Sequence, residues 1–171
     1  MNHEIIFYDT EFTHLDIDKG ELLSIGLVKQ SGEELYIEFE YNETTVHPWV
    51  TENVLPYLHG DTISYENARE KKWDFVGRDN KYKPFFMAYV NQFDAIYWYK
   101  LFEDPQNHPA FWIPLDFASI LFAHGLRPDS MADVHFFESI NIDKSVYNVH
   151  NALDDARMLK DVYEAFVQKY H

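Results

Sequence analysis

Hydrophobic and polar residues follow patterns in the first forty positions that predict three β-strands. Residues 4–12 are rich in β-branched and aromatic side chains, and this run is too short for a typical helix. Residues 21–30 form a second apolar run, and residues 33–42 alternate polar and apolar side chains as a half-buried strand does. The turn signal Ser31-Gly32 and the short links favour an antiparallel meander of these strands.

The middle of the chain predicts two further strands and two helices. The continuous apolar run 84–90 is typical of a strand buried on both faces, and Phe111-Trp112-Ile113 predicts a last strand. A helix with a large apolar face is expected over 95–102. Another is expected over 115–124, with Asp116 as its N-cap and Gly125 at its end.

Four other segments carry weaker patterns. Residues 49–58 predict a short helix ended by Pro56, and residues 65–76 predict a largely exposed helix. Residues 127–147 are polar and without clear periodicity, so we expect an irregular and mobile flap there. The segment 103–110 is expected to be a loop.

The C-terminal segment has the spacing of one helix face, and that face includes a carboxylate. Asp155 falls on the same stripe as four apolar residues, Met158, Leu159, Val162 and Phe166. An inward-facing carboxylate needs a partner, because burying an unpaired charge is costly. Asp154 points away by about 100° and is expected to be solvated, with Asn151 as the helix cap. His150, just before this helix, is therefore a candidate general base.

Two acids at the end of the first strand are the second chemical feature. Asp9 and Glu11 are two residues apart, so a strand would direct them to one face, about 7 Å apart. A divalent cation would relieve their repulsion, and hard oxygen ligands favour Mg²⁺ or Mn²⁺. Taken alone, the pair is better explained as a solvated strand end with two surface acids, because so short a motif often occurs by chance.

Together, these two stretches resemble a known family. Asp9-x-Glu11 and His150-x-Ala152-x-x-Asp155 resemble the first and third motifs of the DEDDh 3′-to-5′ exonucleases, which include ribonuclease T, oligoribonuclease and polymerase proofreading subunits. The N-terminal run from Phe7 to Phe12 is most similar to a small bacterial branch described as 3′-5′ exoribonuclease-like.

The family's second motif is matched best by Asp94, in Asn91-Gln92-Phe93-Asp94, with Asp116 as the alternative. Phe12 stands where many members of the family carry Thr.

The resemblance implies a fold and a site. The expected fold is α/β and ribonuclease H-like, a mixed five-stranded sheet flanked by helices, with the first strand central and residues 1–171 forming a single domain. Two divalent cations would be held by Asp9, Glu11, Asp94 and Asp155, with Asp9 bridging them and His150 as the general base. The backbone at Thr10 and the ring of Phe12 would contact the terminal nucleotide.

Composition excludes some kinds of site and indicates the cellular location. The chain of 171 residues has 46% hydrophobic residues and no Cys, which excludes disulfides, thiolate zinc sites and cysteine nucleophiles. No signal peptide is visible and no apolar run approaches the roughly 20 residues of a membrane span, so a cytoplasmic protein is expected. Many relatives in the resembled family are homodimers, and the aromatic content would allow one here.

The net charge of −15 argues against broad binding of nucleic acid, which needs many Lys and Arg contacts to phosphates. A site that holds only the 3′ end of a single strand, with metal ions supplying positive charge, removes this conflict and favours short substrates. Six basic residues are interleaved with Trp73 and Tyr82, and an ordinary solvated helix and loop is the favoured interpretation: Arg69, Lys71, Lys72, Arg78, Lys81 and Lys83. The alternative is that they grip a single nucleic-acid strand by charge and stacking.

The function expected from these features is hydrolysis of phosphodiester bonds at the 3′ end of single-stranded RNA or DNA, with RNA or short oligoribonucleotides favoured and nucleoside 5′-monophosphates as products. The alternative is a catalytically weak nucleic-acid-binding module, attached to a polymerase or a ribonucleoprotein. A third hypothesis is an acidic metal-binding interaction protein without a nucleic-acid partner.

Overall fold

A computed structural model describes residues 4–77, 82–102 and 107–170. In these ranges the chain forms six strands and six α-helices. The strands are β1 (Ile5–Phe12), β2 (Leu22–Lys29), β3 (Glu34–Phe39), β4 (Thr62–Ile63), β5 (Phe85–Ala88) and β6 (Leu115–Asp116). The helices are α1 (Pro48–Asn53), α2 (Tyr65–Val76), α3 (Gln92–Phe102), α4 (Phe117–Ala123), α5 (Val134–Ser139) and α6 (Ala152–Tyr170).

The strands form one mixed sheet in the order β4-β3-β2-β1-β5-β6. The predicted meander is confirmed, since β1 pairs antiparallel with β2 and β2 pairs antiparallel with β3. Strand β5 runs parallel to β1, and β6 runs parallel to β5. The α/β fold and the central position of β1 are therefore as predicted. The sheet has six strands rather than the predicted five. Strands β4 and β6 contain two residues each, which is too short for a pattern in the sequence to indicate them.

Two apolar layers cover the two faces of the sheet. Even-numbered residues of β1, such as Ile6 and Tyr8, pack into one buried cluster with α2 and α3. Phe7 lies in the other cluster, which includes residues of α4, α5 and α6. This division follows from the alternation of side chains along a strand. Within the described residues, no helix combines the length and the apolar composition needed to cross a membrane.

The structure corrects two predictions of secondary structure. Residues 111–113 are not a strand, since the last strand is β6 at Leu115–Asp116. Residues 127–147 are not an irregular flap, because they contain α5 and two short 3-10 turns. Phe136 and Phe137 of α5 are buried, and this packing secures the segment against the sheet. The predicted loop 103–110 lies partly outside the described residues.

The helix predicted over 65–76 is α2, but it is not an exposed basic surface. Lys72 is fully buried, with its Nζ 4.8 Å from the ring centroid of Phe39, so it cannot grip a nucleic acid. Lys83 donates a hydrogen bond to the backbone oxygen of His108. Arg78 and Lys81 lie outside the described residues. The described residues therefore do not form the alternative, a basic and aromatic grip, as a single surface.

Candidate active site

The pairing of β1 with β2 sets the face on which the acids lie. Asp9 is directly opposite Gly26, and Glu11 is opposite Ser24. Residues opposite each other across an antiparallel pair share a face of the sheet. A Cβ placed on Gly26 would lie 2.3 Å from the backbone oxygen of Ala152, so the first turn of α6 rests directly on this glycine. The start of α6 is thereby held beside Asp9.

Three of the predicted metal ligands meet at this point. One carboxylate oxygen from each of Asp9, Glu11 and Asp155 lies within 4.8 Å of the other two. Asp155 belongs to the first turn of α6, and its Oδ2 accepts a hydrogen bond of 2.8 Å from the backbone N–H of His150. The side chain of Asn151 accepts from the backbone N–H of Asp154 at 3.1 Å, which is the predicted helix cap.

His150 occupies the edge of this cluster in an unusual backbone conformation. Its φ is 68°, in the left-handed region that few residues other than glycine adopt. The hydrogen bond to Asp155 holds it there. Its Nδ1 lies 3.9 Å from Oε1 of Glu11, and its ring meets the ring of Trp49 edge to face at 5.0 Å. Strained backbone of this kind is often found at functional sites.

Burial and mutual repulsion change the acidity of the cluster. Desolvation and the neighbouring carboxylates raise the pKa of Asp9 well above its usual range. The same causes raise the pKa of Glu11 to about 8 and that of Asp155 to about 7. Burial lowers the pKa of His150, which favours its neutral form. The acids therefore gain from any ligand that brings positive charge, and the imidazole is available to accept a proton.

Asp94 lies close to this cluster but is held by another residue. It is in the first turn of α3, because this helix begins at Gln92, three residues before the predicted start at residue 95. Its Oδ1 accepts hydrogen bonds from the backbone N–H of Thr10 at 2.9 Å and from the Thr10 hydroxyl at 2.7 Å. Burial raises its pKa to about 6, although the bonds from Thr10 oppose this shift. Asp94 lines the same cavity as Asp9, and its role as a fourth metal ligand stays a prediction.

The alternative to Asp94 has a structural role instead. Asp116 caps α4, accepting from the backbone N–H groups of Ala118 and Ser119. It also accepts a bond of 3.0 Å from the backbone N–H of Val90. These contacts occupy its oxygens and give no reason to assign it to the metal site.

The two predicted nucleotide contacts both line the cavity above the acids. The Thr10 side chain is engaged with Asp94, as described. The ring of Phe12 stacks on Tyr97 with the centroids 4.6 Å apart, so one of its faces is already covered by protein. Contact of either residue with a nucleotide stays a prediction.

The cavity has a volume of about 720 Å³ and includes residues that the sequence patterns did not indicate. Leu15 and Trp49 are exposed at its wall, with 67% and 48% of their surface accessible. Of the described residues that line it, Lys144 is the one lysine or arginine. The apolar Leu15 within the polar segment 14–20 was a weak sequence signal for a residue that contacts a ligand. No pattern in the sequence indicated that Trp49 would line the cavity.

No sequence-family model matches the chain, and no curated protein matches it by sequence. Solved structures do match its fold. Pop2p of S. pombe, in a form with Mg²⁺ and Mn²⁺ bound, is 13% identical with a TM-score of 0.62, over 97% of this chain and 83% of Pop2p. Exonuclease I of E. coli, in a zinc-bound complex with single-stranded DNA, is 12% identical with a TM-score of 0.70, over 99% of this chain and 41% of the enzyme.

A further structure, a product-bound form of exonuclease I, is 13% identical with a TM-score of 0.69, over 98% of this chain and 44% of the enzyme. This chain therefore spans less than half the length of exonuclease I. The fold it shares with these proteins is a mixed, helix-flanked sheet of the ribonuclease H-like type.

Proposed function

We propose that this chain is a metal-dependent 3′-to-5′ exonuclease and that residues 1–171 form one exonuclease domain. The observation that carries the proposal is the convergence of Asp9, Glu11 and Asp155 within 4.8 Å, from β1 and α6, at the floor of an open cavity. Two proteins that share the fold support it: Pop2p was solved with Mg²⁺ and Mn²⁺, and exonuclease I with single-stranded DNA.

The donor set fits two divalent cations, Mg²⁺ or Mn²⁺. Carboxylate oxygens are the ligands these hard cations prefer, and burial together with mutual repulsion raises the pKa values of the three acids, so positive charge would stabilise their ionised forms. Asp9, Glu11 and Asp155 would hold the cations, and Asp94 would be the fourth ligand. Bound cations would supply the positive charge that an anionic nucleophile needs near a phosphodiester.

His150 is the proposed general base. Its burial lowers its pKa, so the ring is neutral near pH 7 and can take a proton from the attacking water. The bond from its backbone N–H to Asp155 holds the residue beside the acid cluster. Its side chain is 41% exposed, which leaves room for water and substrate to approach the ring.

The proposed substrate is the 3′ end of a short single strand, with oligoribonucleotides favoured and nucleoside 5′-monophosphates released. One lysine in the cavity and a net charge of −15 provide few contacts to a long phosphate backbone. Leu15 and Trp49 instead offer apolar surface on which a terminal base can pack. The resemblance to exoribonuclease-like sequences favours RNA over DNA.

A cleavage assay tests the proposal. A 5-mer labelled at its 5′ end, as RNA and as DNA, is incubated with Mn²⁺ and in parallel with EDTA. We expect stepwise shortening from the 3′ end and mononucleotide release with Mn²⁺ only. A 3′-phosphate on the same 5-mer is the matched control and should slow the reaction.

Protection from thermal unfolding by a nucleoside monophosphate, seen only with metal present, would support binding independently of turnover. Binding of the 5-mer without any cleavage would favour the non-catalytic module. Metal binding with no response to either nucleotide ligand would favour an acidic metal-binding protein without a nucleic-acid partner.

A further inference from the structure

Two histidines lie between the proposed catalytic cavity and a second one. The second cavity, of about 560 Å³, is lined by a loop after β1 and by the segment 44–48 before α1. His14 and His47 are the residues that line both cavities. A single-stranded nucleic acid that filled the catalytic cavity and continued into the second one would pass these two residues, here called the histidine pair.

The hydrogen bonds of the histidine pair determine which ring nitrogen carries the proton. The backbone N–H of Asp16 donates to Nδ1 of His14 at 2.7 Å, and that of Trp49 donates to Nδ1 of His47 at 3.2 Å. A nitrogen that accepts a hydrogen bond has no proton, so each neutral ring carries its N–H at Nε2. Neither Nε2 has a partner among the described residues. The pair therefore presents two unused N–H donors.

The backbone under the histidine pair is fixed from several sides. The backbone N–H of His47 donates to the oxygen of Thr13 at 2.9 Å, which joins the two loops. The Tyr97 hydroxyl donates to the backbone oxygen of His14 at 3.0 Å. The two rings meet edge to face with centroids 5.4 Å apart. Donors held in this way lose little freedom when they bind a ligand.

The geometry points to a phosphodiester as the ligand, and we propose that the histidine pair binds the linkage adjacent to the one that is cleaved. A phosphodiester presents two oxygens that only accept hydrogen bonds, and the pair presents two donors. Lys19 also lines the second cavity, although its ammonium group is paired with Asp16. This inference rests on the proposed exonuclease function and extends it to a second nucleotide position.

A structural role alone would require only the Nδ1 atoms. Each Nδ1 accepts from the N–H two residues further along, which is the turn that an Asn side chain also makes. His14→Asn and His47→Asn therefore keep the turn and remove the Nε2 donor. His59→Asn is the matched control, because His59 is exposed and lines neither cavity.

The test compares a dinucleotide with and without a 5′-phosphate, since only the phosphorylated form can present a second phosphate beyond the scissile linkage. Dissociation constants are measured by calorimetry with Mn²⁺ on a His150→Ala background, where turnover is slow. The 5′-phosphate should strengthen binding to the parent, and each Asn variant should lose about ten-fold of that gain. His59→Asn should keep the gain. Unchanged gain in both Asn variants would overturn the proposal.

A second measurement uses the chain without substitution at the pair and does not depend on how a variant folds. In protein labelled with ¹⁵N-histidine, the rings of His14 and His47 should show the Nε2–H tautomer, and their Nε2 resonances should move with the phosphorylated dinucleotide only. Resonances that stay in place, or the opposite tautomer, would overturn the proposal. If the parent cleaves the 5-mer in this case, the exonuclease function stands without the second subsite. A parent that neither binds nor cleaves would remove both.

Discussion

The acid cluster and Lys72 of α2 are both sites where ionisable groups are buried, on opposite faces of one sheet, but their surroundings differ. Asp9, Glu11 and Asp155 lie together beside a cavity, and each of these carboxylates has the other two, which carry the same charge, as its neighbours. Lys72 is enclosed between the rings of Phe39 and Trp98, and its Nζ has no hydrogen-bond partner in the part of the chain that the structure describes.

Both sites are costly to form, because burial disfavours the charged state of each group. A ligand can reach only the acids, so only they can be neutralised by a cation that comes and goes. Lys72 must rely on the partial attraction of aromatic faces or on losing its proton. The difference indicates that solvent access, and not buried charge alone, marks a functional site.

Removal of one acid should have the largest effect. Asp155→Asn keeps the shape of the side chain but takes a carboxylate from the cluster, so metal-dependent cleavage should fall to below about one per cent of the parent rate. The metal-induced rise in melting temperature should decrease with it. Both are measured on the purified variant.

The neighbouring acid is the control for this change. Asp154 is bound by Arg157 and Asn148 outside the cluster, so Asp154→Asn should cleave at close to the parent rate. Equal loss in both variants, or activity of several per cent in Asp155→Asn, would place the metal ligands elsewhere.

His150→Ala should separate proton transfer from metal binding. We expect cleavage to slow by about 10²–10⁴-fold, the range for loss of a general base, while the metal-induced thermal shift is largely retained. The exposed His135, on α5, provides the control variant His135→Ala. Full activity without the imidazole would exclude His150 as the base.

Lys72→Met tests the other side of the comparison. The free energy of unfolding at pH 7 should rise by about 1–3 kcal/mol, because an unpaired buried ammonium is replaced by an apolar chain of similar length. Lys71→Met, at the exposed neighbouring position, should change it by less than about 0.5 kcal/mol. Denaturant unfolding of the three proteins gives the values.

The same variant has a signature in its pH dependence. Burial lowers the pKa of Lys72, so the folded chain binds this proton less tightly than the unfolded chain. The parent should therefore gain stability as the pH rises toward the usual pKa of lysine, and Lys72→Met should lack that gain. Equal slopes for both proteins would show that Lys72 is not desolvated.

The smallest expected effect concerns metal and pH. The pKa values of Glu11 and Asp155, raised to about 8 and about 7, mean that folding strengthens proton binding there. Without metal, these groups should lower stability as the pH rises from about 4 to about 8. Cations compete with the protons, so Mn²⁺ should raise the melting temperature by a few degrees more at about pH 8.5 than at about pH 5.5. The reverse order would contradict the proposed ligands.

Local patterns were sufficient for the elements that they define. The meander and α6 follow from alternation and from helical spacing, and both were predicted within a few residues. The segment 127–147 was misjudged because α5 is six residues long, too short for a periodic stripe, although Phe136 and Phe137 are buried. Strand β6 was missed because it contains two residues, which is too short to show an alternation of polar and apolar side chains.

The site shows the same limit. Spacing showed that Asp9 and Glu11 share a strand face and that Asp155 lies on the inward stripe of a helix, but only the resemblance to an exonuclease family joined the three acids into one predicted site. Trp49 lies in the first turn of α1 and the histidine pair lies on loops, and the structure brings them to the cavity through contacts between distant segments. The burial of Lys72 was also missed, since its neighbours in sequence are charged and its position depends on how α2 packs against β3 and α3.

Gly26 constrains any attempt to make this protein more robust. Replacing a glycine within a strand by a bulkier residue is an obvious engineering choice, because strands favour β-branched side chains and glycine adds freedom to the unfolded chain. Here the space for that side chain is already filled by the backbone of Ala152 and Leu153. A design that filled it would lift the first turn of α6 away from the sheet, and the acids would separate in a protein that still looked well folded.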